Sequence, residues 1–315
     1  MACFMSFSKF QFLIKLNQPR PICLLAGVLL FHYCYQPLFV SGQNNLTPTD
    51  KALVDLNNAD PGIQNKGLQT ILKIAAKGEP KALLIVADLH FEGRFLKKDH
   101  NKSYELTKKA AEIKFPEAQN NLGFLYQHGL GVKRNYSLAL NWYTRSANQE
   151  LAEAQHNLGM LNYLGHGVSQ DFRIARRYFQ KASDQKLGAA SYMVGLIHFK
   201  GEGFQKNDAQ ARRYFAKAAS EGDANGQYMY SYFLLTGEGK KRDQGSYWDN
   251  LFTQEVAVEE LKASWVWAEI AVLNGQADAS NLAEFVRIQS DFSLEEIDPM
   301  IEACLSSSYQ KCPFL

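Results

Sequence analysis

The chain has 315 residues, 46% of them hydrophobic, and 34 basic against 32 acidic side chains, a formal charge of +2. That is enough for one large domain or two ordinary ones, with ample apolar material for a core. A balance this close to neutral gives no long-range field to draw in a polyanion, which argues against nucleic acid as a partner.

Residues 1–42 read apart from the rest. They hold Lys9, Lys15 and Arg20 and no acid; without them the chain carries 31 basic against 32 acidic side chains, a net of −1. The basic stretch ends at Arg20, the apolar run Ile22–Phe31 follows, and Val40-Ser41-Gly42 puts small or β-branched residues at a peptidase site. These are the parts of a secretory signal peptide, cleaved after Gly42, and they predict a periplasmic or secreted protein. Two alternatives stay open. One is an uncleaved anchor, because Ile22–Val40 is 19 residues and just spans a bilayer; only then does the protein engage a membrane. The other is the lumen of the endoplasmic reticulum. Residues 43–62, rich in Asn, Asp, Thr and Pro, read as a flexible lead-in.

From about residue 63 the chain repeats itself. Ala118-Gln-Asn-Asn-Leu-Gly123 recurs 36 residues on as Ala154-Gln-His-Asn-Leu-Gly159 and again as Ala190-Ser-Tyr-Met-Val-Gly195, with weaker copies at Ala82 and Gly226. Trp142-Tyr143, Tyr178-Phe179 and Tyr214-Phe215 keep the same register, as do Ala139, Ala175 and Ala211. In the first half of each unit, apolar positions such as Ala118, Leu122, Leu125 and Tyr126 fall on one helical face. A Gly-x-Gly turn follows. Then comes a column of Asp99, Asn135, Asp171, Asn207 and Asp243, each suited to cap the second helix. Two amphipathic helices on a short loop cannot bury both apolar faces alone, but stacked copies can. The predicted fold is all-α: an α/α superhelical solenoid of tandem 36-residue helix–loop–helix repeats over residues 63–280. Gly67, Thr70 and Ile74-Ala75 fit a half unit at its start.

The fifth unit breaks register. From cap column to alanine column is 4 residues elsewhere but 21 from Asp243 to Ser264, an insertion of 17 that we place at 244–260. The columns then resume with Trp267, Ala271, Gly275 and Ala279. Residues 281–315 read as a pair of capping helices, broken near Pro299, and a tail.

The pattern Ala-x-x-x-Leu-Gly-x-x-Tyr, Gly-x-Gly-Val, Ala-x-x-Trp-Tyr-x-x-Ser/Ala-Ala resembles the Sel-one-like repeat (SLR) family, a relative of the tetratricopeptide repeats. Ala118–Glu153 matches nearly every position, and Lys262–Ala279 is similar to the family's closing repeat. The resemblance implies an α/α superhelix, roles in assembling protein complexes in the bacterial periplasm or the endoplasmic reticulum lumen, and no catalytic residues.

Candidate chemistry is sparse. The Gly-x-Gly pairs recur once per repeat with no strand before them, which makes them turns rather than a phosphate loop. Ser308-Tyr-Gln-Lys311 matches the Ser-x-x-Lys pattern of penicillin-interacting enzymes but lacks its partner motifs. The seven histidines form no metal-spaced cluster, and no cofactor is expected. Arg176-Arg177 and Arg212-Arg213 stack as a basic ladder, read as a solvated outer face with stems over aromatics. Of five cysteines, Cys304 and Cys312 follow the signal and are candidates for a disulfide in an oxidising compartment, with two free thiols as the alternative. The columns through Asn120 and Phe124 form the first-helix stripe, where such solenoids shape a concave surface. Aromatic character along it rises toward the C-terminus, so Tyr192, Tyr228, Tyr232 and the insertion residues Tyr247 and Trp248 are the candidate partner contacts; packing between helices is the competing reading. The expected function is an exported, non-catalytic scaffold or adaptor that binds protein partners through the concave face and regulates an envelope enzyme or complex. The alternative is a cell-wall hydrolase or β-lactam-binding repeat protein.

Overall fold

The computed structural model describes residues 46–239, 255–290 and 292–313, all within the unit Val40–Leu315. Among the described residues there are fourteen helices and no strand: α1 (Pro48–Leu56), α2 (Pro61–Ala75), α3 (Pro80–Glu92), α4 (His100–Glu112), α5 (Pro116–His128), α6 (Tyr136–Ala147), α7 (Ala152–Leu164), α8 (Phe172–Asp184), α9 (Gly188–Lys200), α10 (Asp208–Ser220), α11 (Ala224–Thr236), α12 (Glu255–Leu273), α13 (Ala279–Gln289) and α14 (Leu294–Ser306). From α1 to α13 consecutive helices pack on one another, and α14 packs on α12, giving an all-α repeat solenoid. None of these helices is long and apolar enough to cross a membrane. The signal segment, Asp243 and residues 244–254 of the insertion lie outside the described residues.

Each regular unit is held by the same parts. The first helices α3, α5, α7, α9 and α11 end at a glycine in the left-handed region, Gly93, Gly129, Gly165, Gly201 and Gly237. The second glycine of the turn answers a different need. A Cβ on Gly131 would sit 2.0 Å from the His100 carbonyl oxygen, so the loop of one unit rests against the second helix of the unit before it. The cap column then acts as its residue types suggest: Asp99, Asn135, Asp171 and Asn207 accept backbone N–H bonds at the starts of α4, α6, α8 and α10.

Within a unit the recurring spacing brings a small residue to an aromatic ring. A Cβ on Gly123 would meet the Tyr143 ring at 2.7 Å, on Gly159 the Phe179 ring at 2.6 Å, and on Gly195 the Phe215 ring at 2.8 Å. All three rings are fully buried. Polar side chains stitch the helix ends. Ser146 Oγ donates to the Pro116 carbonyl at 2.7 Å, and Gln149 and Gln185 donate to Gln119 and Gln155 at 2.8 and 3.0 Å.

Three features differ from the sequence reading. The lead-in at 43–62 contains a helix, α1, closed by a Thr47/Asp50 capping box and packed on α2, where Gly67 lets the Leu56 and Ala52 backbones approach. Pro299 does not break a helix but sits inside α14. The break falls earlier, before Ser293, whose capping box with Glu296 starts α14. Finally, α13 carries Ala279 in the alanine column of the first helices, so the first-helix series runs past residue 280.

The C-terminal end uses other materials. α12 has 19 residues, because residues 255–260 of the insertion extend it at its N-terminus. Glu260 in those added turns receives Arg212 Nη2 at 3.0 Å, and Arg212 also donates to the Phe233 carbonyl at 3.1 Å. Trp265 and Trp267 are buried among α11, α13 and α14. The tail then folds back: Trp267 Nε1 donates to the Pro313 carbonyl at 3.1 Å, Asn274 Nδ2 to the Tyr309 hydroxyl at 3.0 Å, and Cys304 is joined to Cys312 as a disulfide with Cα atoms 4.5 Å apart.

Candidate functional site

Two neighbouring columns form a stripe along the first helices. Its columns run Leu84, Asn120, His156, Tyr192, Tyr228 and Asp88, Phe124, Met160, Leu196, Tyr232. Early in the array they are polar or closed over. Leu84, Phe124 and His156 are buried, and Asn157 Nδ2 donates to Asn120 Oδ1 at 2.9 Å. His156 lies 5.3 Å from the Phe179 ring, and burial lowers its pKa to about 4, which keeps it neutral. It is therefore part of the core.

Later in the array the stripe opens. Tyr192, Tyr228 and Tyr232 are half-buried. Tyr192 lies 5.9 Å from the Phe215 ring, and burial followed by the nearby Asp223 carboxylate pushes its hydroxyl up. Tyr192 and Tyr232 pack against the apolar cluster of α10, α11 and α12, so part of each ring serves the core. The structure brings the three tyrosines onto neighbouring first helices; Tyr247 and Trp248 lie outside the described residues. α11 bears no charged side chain at all. The second helices are charged, as in α8 with Arg173, Arg176, Arg177 and Lys181.

Two side chains of α13 extend the stripe by one helix. In α13, Phe285 falls in the column of Tyr232 and Ile288 three positions on, and they are 51% and 67% exposed, against partial burial for the tyrosines. Counting the 36-residue columns onward from Ala279 identifies them.

Other candidates resolve differently. The basic ladder divides. The Arg176 guanidinium lies over the Phe204 ring at 4.1 Å and Arg212 is tied to Glu260, whereas Arg177 and Arg213 are exposed. His90 and His198 are half-buried; His90 Nδ1 is 3.0 Å from the Lys97 carbonyl, and the His198 ring stacks on Tyr214 at 5.9 Å. Ser308 and Lys311 are both exposed on the tail, with Ser308 at φ +50° and the Lys311 N–H donating to Ser307 Oγ. Among the described residues no group of His, Cys, Asp and Glu is arranged to hold a metal ion.

With this geometry in view, the comparison with known families is decisive. The Sel1 repeat matches residues 80–113, 116–151, 152–187, 188–223 and 224–245, more than half of the chain. The chain belongs to the Sel1 repeat family. Its units are the helix pairs described above, and this fold is in general a protein-interaction scaffold. Among solved structures, a Sel1 repeat protein from Oxalobacter formigenes is similar at 25% identity and a TM-score of 0.65, over 82% of this chain and 99% of that one. A protective antigen of uropathogenic Escherichia coli strains, displaying an SLR fold, is similar at 21% identity and a TM-score of 0.52, over 78% of this chain and 56% of that one. No curated protein matches.

Proposed function

We propose that this protein is an exported scaffold that binds protein partners through the first-helix face of its C-terminal repeats, and that it regulates an enzyme or complex of the cell envelope. One observation carries the reading: α9 and α11 present half-buried tyrosines on a surface with almost no charge, while the second helices present arginine and lysine to solvent. Rigid, amphipathic rings in an uncharged setting are the residues interfaces concentrate at their centres. Tyr192, Tyr228 and Tyr232 form that centre; Tyr247 and Trp248, outside the described residues, are candidate contacts on their sequence alone. The segment 1–42 is its export signal, and the Cys304–Cys312 pair suits an oxidising compartment.

Cross-linking and mass spectrometry of the native protein identifies the partner. Changing Tyr228 and Tyr232 to Ala together is expected to abolish that cross-link with only a modest fall in melting temperature, from the part of the Tyr232 ring that packs on the core. A large fall in melting temperature with no selective loss of partner would return both rings to the core and overturn the reading. N-terminal sequencing of the exported protein is expected to begin at Gln43.

A further inference from the structure

The first-helix stripe has two chemically different ends. At its N-terminal end α3 carries Asp88 and Glu92, one helical turn apart. Asp88 Oδ1 is sealed from solvent and has no hydrogen-bond partner. Burial, followed by the charge of Glu92, drives the Asp88 carboxyl well above the usual carboxylate range. The one lysine of α3, Lys81, is already engaged by Asp50. Asp88 stands in the column that continues through Met160, Leu196 and Tyr232 to Phe285. That column and its neighbour through Tyr228 hold no Lys, Arg or Glu, and burial keeps His156 neutral.

We propose that this stripe takes a peptide segment of a partner protein that is cationic at one end and aromatic or aliphatic over the rest. Its Lys or Arg lies against Asp88 and Glu92, and its apolar side chains lie along Tyr228, Tyr232, Phe285 and Ile288. The proposal rests on the reading of the first-helix face as the partner surface, and it adds the partner's chemistry and direction. An arriving ammonium or guanidinium pairs with the exposed Glu92 carboxylate and meets the Asp88 carboxyl beside it, which favours release of the proton that burial holds there and turns the contact into a charge-assisted bond. A charge in the middle of the peptide would be stripped of water with no counter-charge to meet it, so the central stripe selects against one. At the C-terminal end Phe285 and Ile288 are exposed, and apolar side chains of the peptide would cover them. Five steps between first helices, at about 10 Å each, are spanned by roughly fifteen extended residues.

The test is selection from a random peptide library of about that length on the full chain, followed by resynthesis of an enriched peptide. Enriched sequences are expected to place Lys or Arg at one end and aromatic or aliphatic residues at the other. Asp88→Asn with Glu92→Gln is expected to weaken the resynthesised peptide about tenfold or more, as is replacing its basic residue by norleucine. Glu92→Lys, at an exposed position, gives the same loss without touching the enclosed Asp88. If the enriched peptides show no basic bias and bind these variants as well as the wild type, while Tyr228→Ala with Tyr232→Ala abolishes binding, the cation end is refuted and the partner face stands. If the tyrosine pair has no effect either, both readings fall.

Discussion

The units between residues 116 and 223 solve one packing problem three times, whereas the C-terminal end solves it once with different parts. In the middle, a glycine on the first helix receives a ring from the second, an Asp or Asn caps the second helix, and each loop leans on the unit before it. Stability there is spread over equivalent nearest-neighbour interfaces. At the C-terminal end the parts differ. Two tryptophans, a 19-residue helix, an Arg212–Glu260 pair and a tail pinned by Cys304–Cys312 close the array instead. An interface repeated many times tolerates variation in any one copy, but an interface made once depends on each of its members.

That contrast can be broken most directly at Trp267. Trp267→Ala is expected to cost about 3–5 kcal/mol, since the ring is fully buried and its Nε1 loses the Pro313 carbonyl. Trp142→Ala, in the equivalent column but half-buried under Arg145, is expected to cost clearly less. Equal losses in urea denaturation would erase the distinction. In the middle, His156 gives a pH signature. Its folded pKa is about 4 against 6.5 unfolded, so the unfolded chain binds the proton first. Its contribution is complete above 6.5 and is lost as pH falls toward 4, on the order of 3 kcal/mol. His156→Phe should flatten that part of the profile; an unchanged slope would assign the acid loss to other groups.

Replacing both Cys304 and Cys312 by Ser is expected to cost about 2–3 kcal/mol by loop entropy. Hydrogen exchange should show the loss in α12 to α14 with α5 to α8 still protected; uniform deprotection would mean that the array unfolds as one body. The smallest expected effect is Asn135→Ala, about 1 kcal/mol for a lost cap, read as a modest fall in melting temperature. A larger cost would mean that a single cap in the middle matters more than its repetition implies.

The regular units were almost wholly legible in the sequence. A period of 36 residues fixes which residues share a face, and Asn135 or Gly123 can do only a few things in such a setting. The ends were less legible for a physical reason. Column matching needs a neighbouring copy to match against, and α1, α13 and α14 have weak copies or none. Thr47 and Asp50 signal a capped start locally, yet the polar composition of residues 43–62 outweighed them. Pro299 suggested a break because proline usually ends a helix, but the capping box at Ser293 begins α14 ahead of it and the helix continues through it. The candidate site was half legible: periodicity placed Tyr192, Tyr228 and Tyr232 on one stripe but could not tell how deeply each ring packs.

By itself the sequence determined the repeat, the fold class and the family, because a helical period and its capping residues are local properties that recur in register. Tertiary structure alone decided which members of a column are open and which are closed. His156 and Tyr192 share a column, yet one is sealed against the Phe179 ring and the other is only half-buried. Phe285 and Ile288 remain exposed because α14, the helix that follows them, packs mainly on α12. Exposure is set by what packs next to a residue, and that neighbour lies many residues away along the chain.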